Sequence, residues 1–236
     1  MDALKLRRTI LDIFFPPLCI KCNKHLKNDE KSHLLCRSCF DNVNINRVVT
    51  RPDKDITLFA IGRYDDLALR ELLHSFKYNK FMAARNTIRA LIKKYLSGIN
   101  LIAEVGRDAV LVPIPLHPAR MRTRGFNQSE IIAEELSRLT GLKVDSNILQ
   151  RIKNTETQIK LDSYEKRREN LKDSFKVSLS ANELKSQRAL PRRQAGIELI
   201  LVDDVYTSGA TMKEAIRTLK RAGAENVTGF VIAKAG

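Results

Sequence analysis

Leu199–Thr211 reads LILVDDVYTSGAT. A run of apolar residues ends in two adjacent carboxylates, and a Thr-Ser-Gly turn leads into a segment with helical spacing, Ala210–Ala222. Glu198–Val202 is expected to be a strand covered on both faces, because a half-exposed strand would alternate apolar with polar residues. The order strand, tight turn, helix builds an anion cradle. Backbone N–H groups at the helix start bind negative charge, and Thr207, Ser208 and Thr211 add hydroxyl donors. Gly209 lets the backbone approach a ligand closely and takes a positive φ without penalty. Asp203 and Asp204 fall at the strand's carboxyl end, where open α/β sheets bind ligands. Carboxylates beside a phosphate cradle would repel phosphate, so they suit hydroxyl groups or water-bound Mg²⁺. The competing reading is a loop with an ordinary helix cap. The run is not a P-loop, since it has no Gly-Lys-Ser/Thr.

The flanking pattern is α/β. Thr57–Tyr64 reads as a strand, and Leu69, Leu72, Leu73 and Phe76 make a helical stripe that Ile88, Leu91, Ile92 and Tyr95 repeat. Gly98 stops the second helix. Ala109–Pro113 is a short buried-strand run. Asn127 and Glu130 have capping-box spacing for a helix that runs through Leu139 and stops at Gly141. Strand-like pieces follow near Leu142–Val144 and Phe175–Leu179. After the helix at Ala210–Ala222, which Gly223 caps, Val227–Ala233 completes the pattern. Alternating strands and helices predict a mostly parallel sheet flanked by helices.

Val112–Gln128 reads VPIPLHPARMRTRGFNQ. In an extended chain Arg120, Arg122 and Arg124 would share one face. Three cations without a nearby acid suit a pyrophosphate or a nucleic-acid backbone, although a solvated basic loop has the same composition. His117 shows no evident partner. Arg151–Phe175 is long, polar and charged, a segment of the kind that closes over a substrate.

All four cysteines lie in Cys19-x-x-Cys22 and Cys36-x-x-Cys39, with thirteen residues between the pairs. Two such knuckles match a tetrahedral zinc site of four thiolates, which leaves no position open for water and is therefore structural. A pair of disulfides needs an oxidising compartment, and a redox CxxC needs a βαβ setting that neither pair has. His25 and His33 are not needed as ligands. Residues 1–50 are too few to bury a core alone, so the metal is expected to supply folding energy for this module. Thr50–Asp55, with Pro52 and several charges, reads as a linker into a domain spanning 51–236, with a basic insertion at Ser180–Ile197.

The 236 residues carry 42 Lys+Arg against 27 Asp+Glu, a net charge of +15, with 43% hydrophobic residues. That content excludes global disorder. There is no apolar run of transmembrane length, and Asp12 interrupts the apolar patch at Ile10–Phe15, so neither a membrane span nor a secretory signal is expected and the compartment is read as the cytoplasm. The charge points to a polyanionic partner. Residues 63–94 alone hold eight Lys/Arg against three acids, a net of +5. Lys77, Lys80, Arg167, Arg168, Arg192 and Arg193 are candidate nucleic-acid contacts, with solvated loops as the alternative. Single-strand binders also stack bases on aromatics, yet aromatics are only 6% here and Trp is absent.

Val202–Thr211 resembles the 5-phosphoribosyl-1-pyrophosphate (PRPP) motif of type I phosphoribosyltransferases. The wider chain resembles the competence protein F (ComF/GntX-like) family. That resemblance rests on Phe15–Cys22, Phe76-Lys77-Tyr78, the Val112-Pro-Ile-Pro segment, Arg124–Gln128, Thr155/Gln158/Leu161 and Asp203–Thr211. It implies that Asp203 and Asp204 contact the ribose hydroxyls as the catalytic pair. It also implies that Val205, Tyr206, Thr207, Ser208, Gly209, Ala210 and Thr211 line the PRPP site, the run from Thr207 holding the 5′-phosphate, with Mg²⁺ accompanying the ligand. The family is linked to natural transformation, which implies single-stranded DNA and other competence or recombination proteins as partners. A catalytic transferase acting on a nitrogen acceptor, a DNA-binding module that has lost catalysis and a zinc-stapled adaptor all remain open.

Overall fold

The apolar runs become strands whose successive residues face opposite sides of one sheet. A computed structural model describes residues 16–53, 56–78, 81–154, 171–178 and 198–236, apart from the side chains of residues 77, 78 and 81. Its strands are β1 (Thr50–Asp53), β2 (Ile56–Arg63), β3 (Val110–Pro113), β4 (Lys143–Val144), β5 (Leu149–Arg151), β6 (Phe175–Val177), β7 (Glu198–Tyr206) and β8 (Asn226–Lys234). Its helices are α1 (Arg37–Asp41), α2 (Leu67–Tyr78), α3 (Phe81–Leu96), α4 (Leu101–Val105), α5 (Pro118–Arg124), α6 (Gln128–Thr140) and α7 (Ala210–Arg221).

The main sheet has the order β1-β2-β8-β7-β3-β4. Neighbours from β2 to β4 run parallel, and β1 adds an antiparallel edge. Ile200 and Val202 of β7 join Phe59, Ile61, Leu111, Phe230 and Ile232 in a core under α2, α3 and α6. Leu199 and Leu201 join Leu58, Ala60, Val112 and Val231 in a second core under Met212, Ala215, Ile216 and Leu219 of α7. Both faces are covered, which is why β3 and β7 lack polar alternation.

The connections decide where a ligand can sit. From β3 the chain passes through α5 and α6 to β4 on one side, and from β7 it passes through α7 to β8 on the other. The two crossovers diverge between β3 and β7, so a crevice opens at their carboxyl ends, the switch point of this topology. β5 and β6 form a separate antiparallel pair.

The segment read as a linker is partly a strand. Thr50–Asp53 pairs with β2, and Pro52 is tolerated because an edge strand needs fewer ladder donors. Asp53 also meets Lys213 of α7 at 2.7 Å.

The cysteine-bearing segment packs directly on α3. Leu26, Leu34, Leu35 and Val43 belong to the same core as α2 and α3. The buried Thr87 Oγ1 accepts from Leu34 N at 2.9 Å, Asn86 Nδ2 donates to Ser32 O at 3.0 Å, and Lys94 Nζ donates to the Phe40 and Asp41 carbonyls at 3.1 and 2.8 Å.

The other face of α3 is stitched to α6. Glu135 is fully buried and accepts from Arg85 Nε at 2.5 Å, from Arg138 at 3.1 Å and from Arg89 Nε, while Arg85 also reaches Glu134 at 2.8 Å. Burial pushes the Glu135 carboxyl up, but the hydrogen bonds from Arg89 and Arg85 outweigh it and hold it below its usual value of 4.5. A depressed folded value means that the stabilisation is complete above the unfolded pKa and fades as pH falls through the folded one. Glu135→Gln should therefore cost about 3 kcal/mol at neutral pH, because it strands partly buried guanidiniums. Melting curves of the wild type and the variant should converge as the pH drops below about 4. A constant gap down to about pH 3 would mean that the cluster is not ionic.

This cluster also reduces the basic excess expected from residues 63–94. Arg63 pairs with Asp65 at 2.6 Å, Arg70 lies 3.7 Å from Glu71, Arg85 and Arg89 are held by acids of α6, and Lys94 binds carbonyls. Much of that charge is thus matched within the fold.

Candidate functional site

The cradle forms as the apolar run dictates, with the strand continuing further than expected. β7 carries Asp203 and Asp204 within it and ends at Tyr206, which is buried. The turn Thr207–Gly209 leads into α7. Gly209 occupies the N-cap position with φ 74, and a Cβ there would lie 2.2 Å from Tyr206 Oη. Only glycine satisfies both the positive φ and the ring pressed against the turn. A glycine cap has no side chain to occupy the first N–H groups of α7, which face the turn as anion donors.

α6 fixes the opposite wall through three successive residues. Asn127 Oδ1 accepts from Ser129 N at 3.2 Å, and its Nδ2 donates to Ile114 O, just past β3, at 3.1 Å. Gln128 Oε1 accepts from Arg124 at 2.9 Å. Ser129 Oγ donates to Asp203 Oδ1 at 2.9 Å, and the same oxygen accepts from Asp204 N at 2.9 Å. Glu130 does not close the capping box on Asn127; it accepts from Ser146 Oγ at 2.9 Å instead. The buried Gln128 Nε2 has no hydrogen-bond acceptor among the described residues.

The arginine segment departs from expectation. Residues 118–124 form α5 rather than an extended strand. His117, which has no evident partner in the sequence, caps it by accepting from Ala119 N at 3.2 Å on Nδ1, Pro118 opens its first turn, and Gly125 closes it at φ 79. At about 100° per residue, Arg120 and Arg124 lie close in azimuth while Arg122 points to the far side. Arg122 is accordingly exposed, and Arg120 and Arg124 are half-buried. Burial lowers the Arg120 pKa, and the neighbouring Arg124 charge lowers it further.

Arg151 is a site residue that the sequence pattern hides, because it opens a long polar stretch. It ends β5, paired with Phe175 of β6, and its guanidinium lies 5.4 Å from the centre of that ring. Burial pushes its pKa down to about 10, Arg120 pushes in the same direction, and Asp203 opposes them.

The four cysteine sulfurs lie within 4.8 Å of one another, with Cys22 Sγ and Cys36 Sγ 3.8 Å apart. Four thiolates about 2.3 Å from a zinc ion at tetrahedral angles would be separated by about 3.8 Å, so the donor set and its spacing fit zinc. Burial raises the Cys19 thiol, but backbone N–H groups of Cys36, Cys22 and Lys21 and the Cys22 side chain more than offset it, to about 7. Cys39 is pushed well up, first by burial and then by its neighbouring sulfurs. Such thiols are poised to lose their protons to a cation.

Lys80, Arg167, Arg168, Arg192 and Arg193 lie outside the described residues, as do the side chain of Lys77, the Thr155/Gln158/Leu161 motif and the Ser180–Ile197 insertion. Among the described residues no helix is long and apolar enough to cross a membrane.

A parallel sheet with an acidic strand end running into a Thr-Ser-Gly cradle defines a phosphoribosyltransferase-type domain, and residues 125–236 match the phosphoribosyl transferase domain family. Similarity to individual proteins extends further. Competence protein F of Haemophilus influenzae is 29% identical over 224 residues, covering 92% of this chain and 90% of that protein. Competence protein ComFC of Bacillus subtilis is 29% identical over 226 residues, 88% and 85% of the two chains. DNA utilization protein YhgH of Escherichia coli K12 is 26% identical over 215 residues, 89% and 87%. The chain is a homologue of competence protein F, with a phosphoribosyltransferase-type fold and a four-cysteine cluster that can hold zinc.

Proposed function

We propose that this protein binds Mg²⁺-PRPP in the β3–β7 crevice and works in natural transformation, on DNA taken up as single strands. The observation that carries the ligand is Asp203, fixed by Ser129 and followed by Asp204, directly ahead of the Thr207–Thr211 cradle. In this reading Thr207, Ser208, Thr211 and the first N–H groups of α7 hold the 5′-phosphate. Val205, Tyr206, Gly209 and Ala210 shape the turn, and the two carboxylates accept from the ribose hydroxyls. Arg120 and Arg124 face the pyrophosphate. Mg²⁺, held by the ligand's own oxygens and by water beside the carboxylates, would neutralise charge on the leaving pyrophosphate. In a transfer reaction, the C1–oxygen bond to pyrophosphate breaks as a bond from C1 to a nitrogen acceptor forms. The arginines then take up the charge on the departing group.

The names of the relatives support the DNA arm, and so does the net charge of +15, more than one phosphorylated sugar requires. The zinc cluster takes a structural role beneath this site.

Millimolar Mg²⁺-PRPP should raise the melting temperature of the full chain, since a ligand selective for the native state stabilises it. An unchanged melting temperature would sink the PRPP reading. In the same preparation, affinity for single-stranded DNA should fall steeply with salt. Binding that is absent or insensitive to salt removes the DNA arm. Pyrophosphate release on addition of ammonia or a nucleobase separates a transferase from a binding protein.

A further inference from the structure

We propose that Arg151 is an anion-binding residue of the crevice, gripping with Arg120 the pyrophosphate group of the sugar ligand; this deepens the reading above and rests on it for the ligand's identity. The placement of Arg151 is built from several independent contacts. Its strand register sets it opposite Phe175, whose ring is buried and carries the guanidinium on its face. Ile148, Leu149 and Phe175 pack in the core that also contains Val112 and Ile114 at the end of β3. The β5–β6 pair is clamped to α7 by a cluster of charges. Asp173 N donates to Glu214 Oε1 at 2.7 Å, and Arg217 reaches both Asp173 and Glu214 at 2.6 Å. The hairpin thus delivers Arg151 to the crevice from the α7 face, while α5 delivers Arg120 from the loop after β3.

The electrostatics explain why a protein would do this. Arg124, Arg120 and Arg151 form a chain in which each charge disfavours the next, and Asp203 is the carboxylate that acts on Arg151. Half-dry guanidiniums within reach of one another are costly unless an anion joins them. Gln128, whose Oε1 already holds Arg124, keeps a buried Nε2 donor without an acceptor among the described residues. A pyrophosphate carries enough charge and enough oxygens to serve all of these groups, and a guanidinium fork matches it in two-pronged fashion. The 5′-phosphate has its own cradle at Thr207–Thr211, so the arginine side is left to the pyrophosphate.

The test measures binding of inorganic pyrophosphate and of ribose 5-phosphate, separately, by thermal shift and calorimetry at low salt. The proteins are the wild type, Arg151→Gln, Arg151→Lys and, as an exposed control, Arg107→Gln. Arg151→Gln should weaken pyrophosphate at least tenfold and leave ribose 5-phosphate within twofold. Arg151→Lys, which keeps the charge and loses the fork, should fall between, and it answers the question if the glutamine variant does not fold. Arg107→Gln should match the wild type. Pyrophosphate binding unchanged in both Arg151 variants overturns the proposal, as does wild-type protein that ignores pyrophosphate. Equal loss of both ligands also overturns it, because a merely structural arginine would produce that result. Arg151-dependent pyrophosphate binding in a protein that ignores PRPP would uphold the anion site and sink the PRPP reading alone.

Discussion

The double variant Asp203→Asn, Asp204→Asn should fold normally and lose the stabilisation that Mg²⁺-PRPP gives to the wild type. At a ligand concentration about 100 times Kd, that stabilisation is about 2.7 kcal/mol. Two charge-assisted hydrogen bonds to ribose hydroxyls are each worth about 1.5–3 kcal/mol, so their loss weakens binding by about 100-fold or more and the shift nearly vanishes. Folding survives because the asparagine put in place of Asp203 would keep a side-chain oxygen for the Ser129 hydroxyl and the residue-204 N–H, the two partners that Asp203 Oδ1 now serves. Inorganic pyrophosphate without magnesium should bind the variant as well as the wild type or better, because two negative charges beside the arginines are gone. Melting curves with each ligand decide the matter. A full PRPP shift in the variant would show that the carboxylates do not touch the sugar. If transformation frequency falls in cells that carry the folded variant, sugar-phosphate recognition matters to DNA uptake.

The second large effect concerns the cysteine cluster. Cys39→Ser should abolish stoichiometric zinc and lower stability by on the order of 5 kcal/mol, less than the about 10–16 kcal/mol of isolated zinc-finger peptides. The figure is smaller because this segment is also held by apolar contacts with α3 and by Thr87, Asn86 and Lys94. In a protein of this size it corresponds to a fall in melting temperature of about 10–20 °C. Elemental analysis of the wild type should give one zinc per chain, and a chelator should reproduce the variant's melting curve. Metal-free wild type that melts with the zinc-loaded protein would remove the structural role.

How much of the fold and the site is legible in the sequence depends on the range of each interaction. β3, β7, α2, α3, α6 and α7 can be read because burial on one or both faces writes a local period into the chain. The cradle can be read because Gly209 and the hydroxyls adjoin it in sequence. The helix at 118–124 is harder to see although its signs are present: Pro118 at the first position and Gly125 just past the end. The alternation of three arginines suggests a strand and masks them. Arg151 and Glu135 carry no such sign. Arg151 belongs to the crevice only because β5 pairs with β6 and the hairpin is clamped to α7. Glu135 absorbs charge from Arg85 and Arg89, which lie 50 and 46 residues away. Pairings at that distance leave no trace in spacing.

The start of α6 has one further consequence. Asn127, Gln128 and Ser129 each hold a different part of the crevice: the end of β3, the arginine helix and the acidic strand end. The three parts therefore share a single registration mark, and no one of them can drift without straining a neighbour in sequence. A tripeptide works here as a surveyor's benchmark. Because each residue turns the helix by about 100°, inserting or deleting one residue in it would throw all three bearings off together.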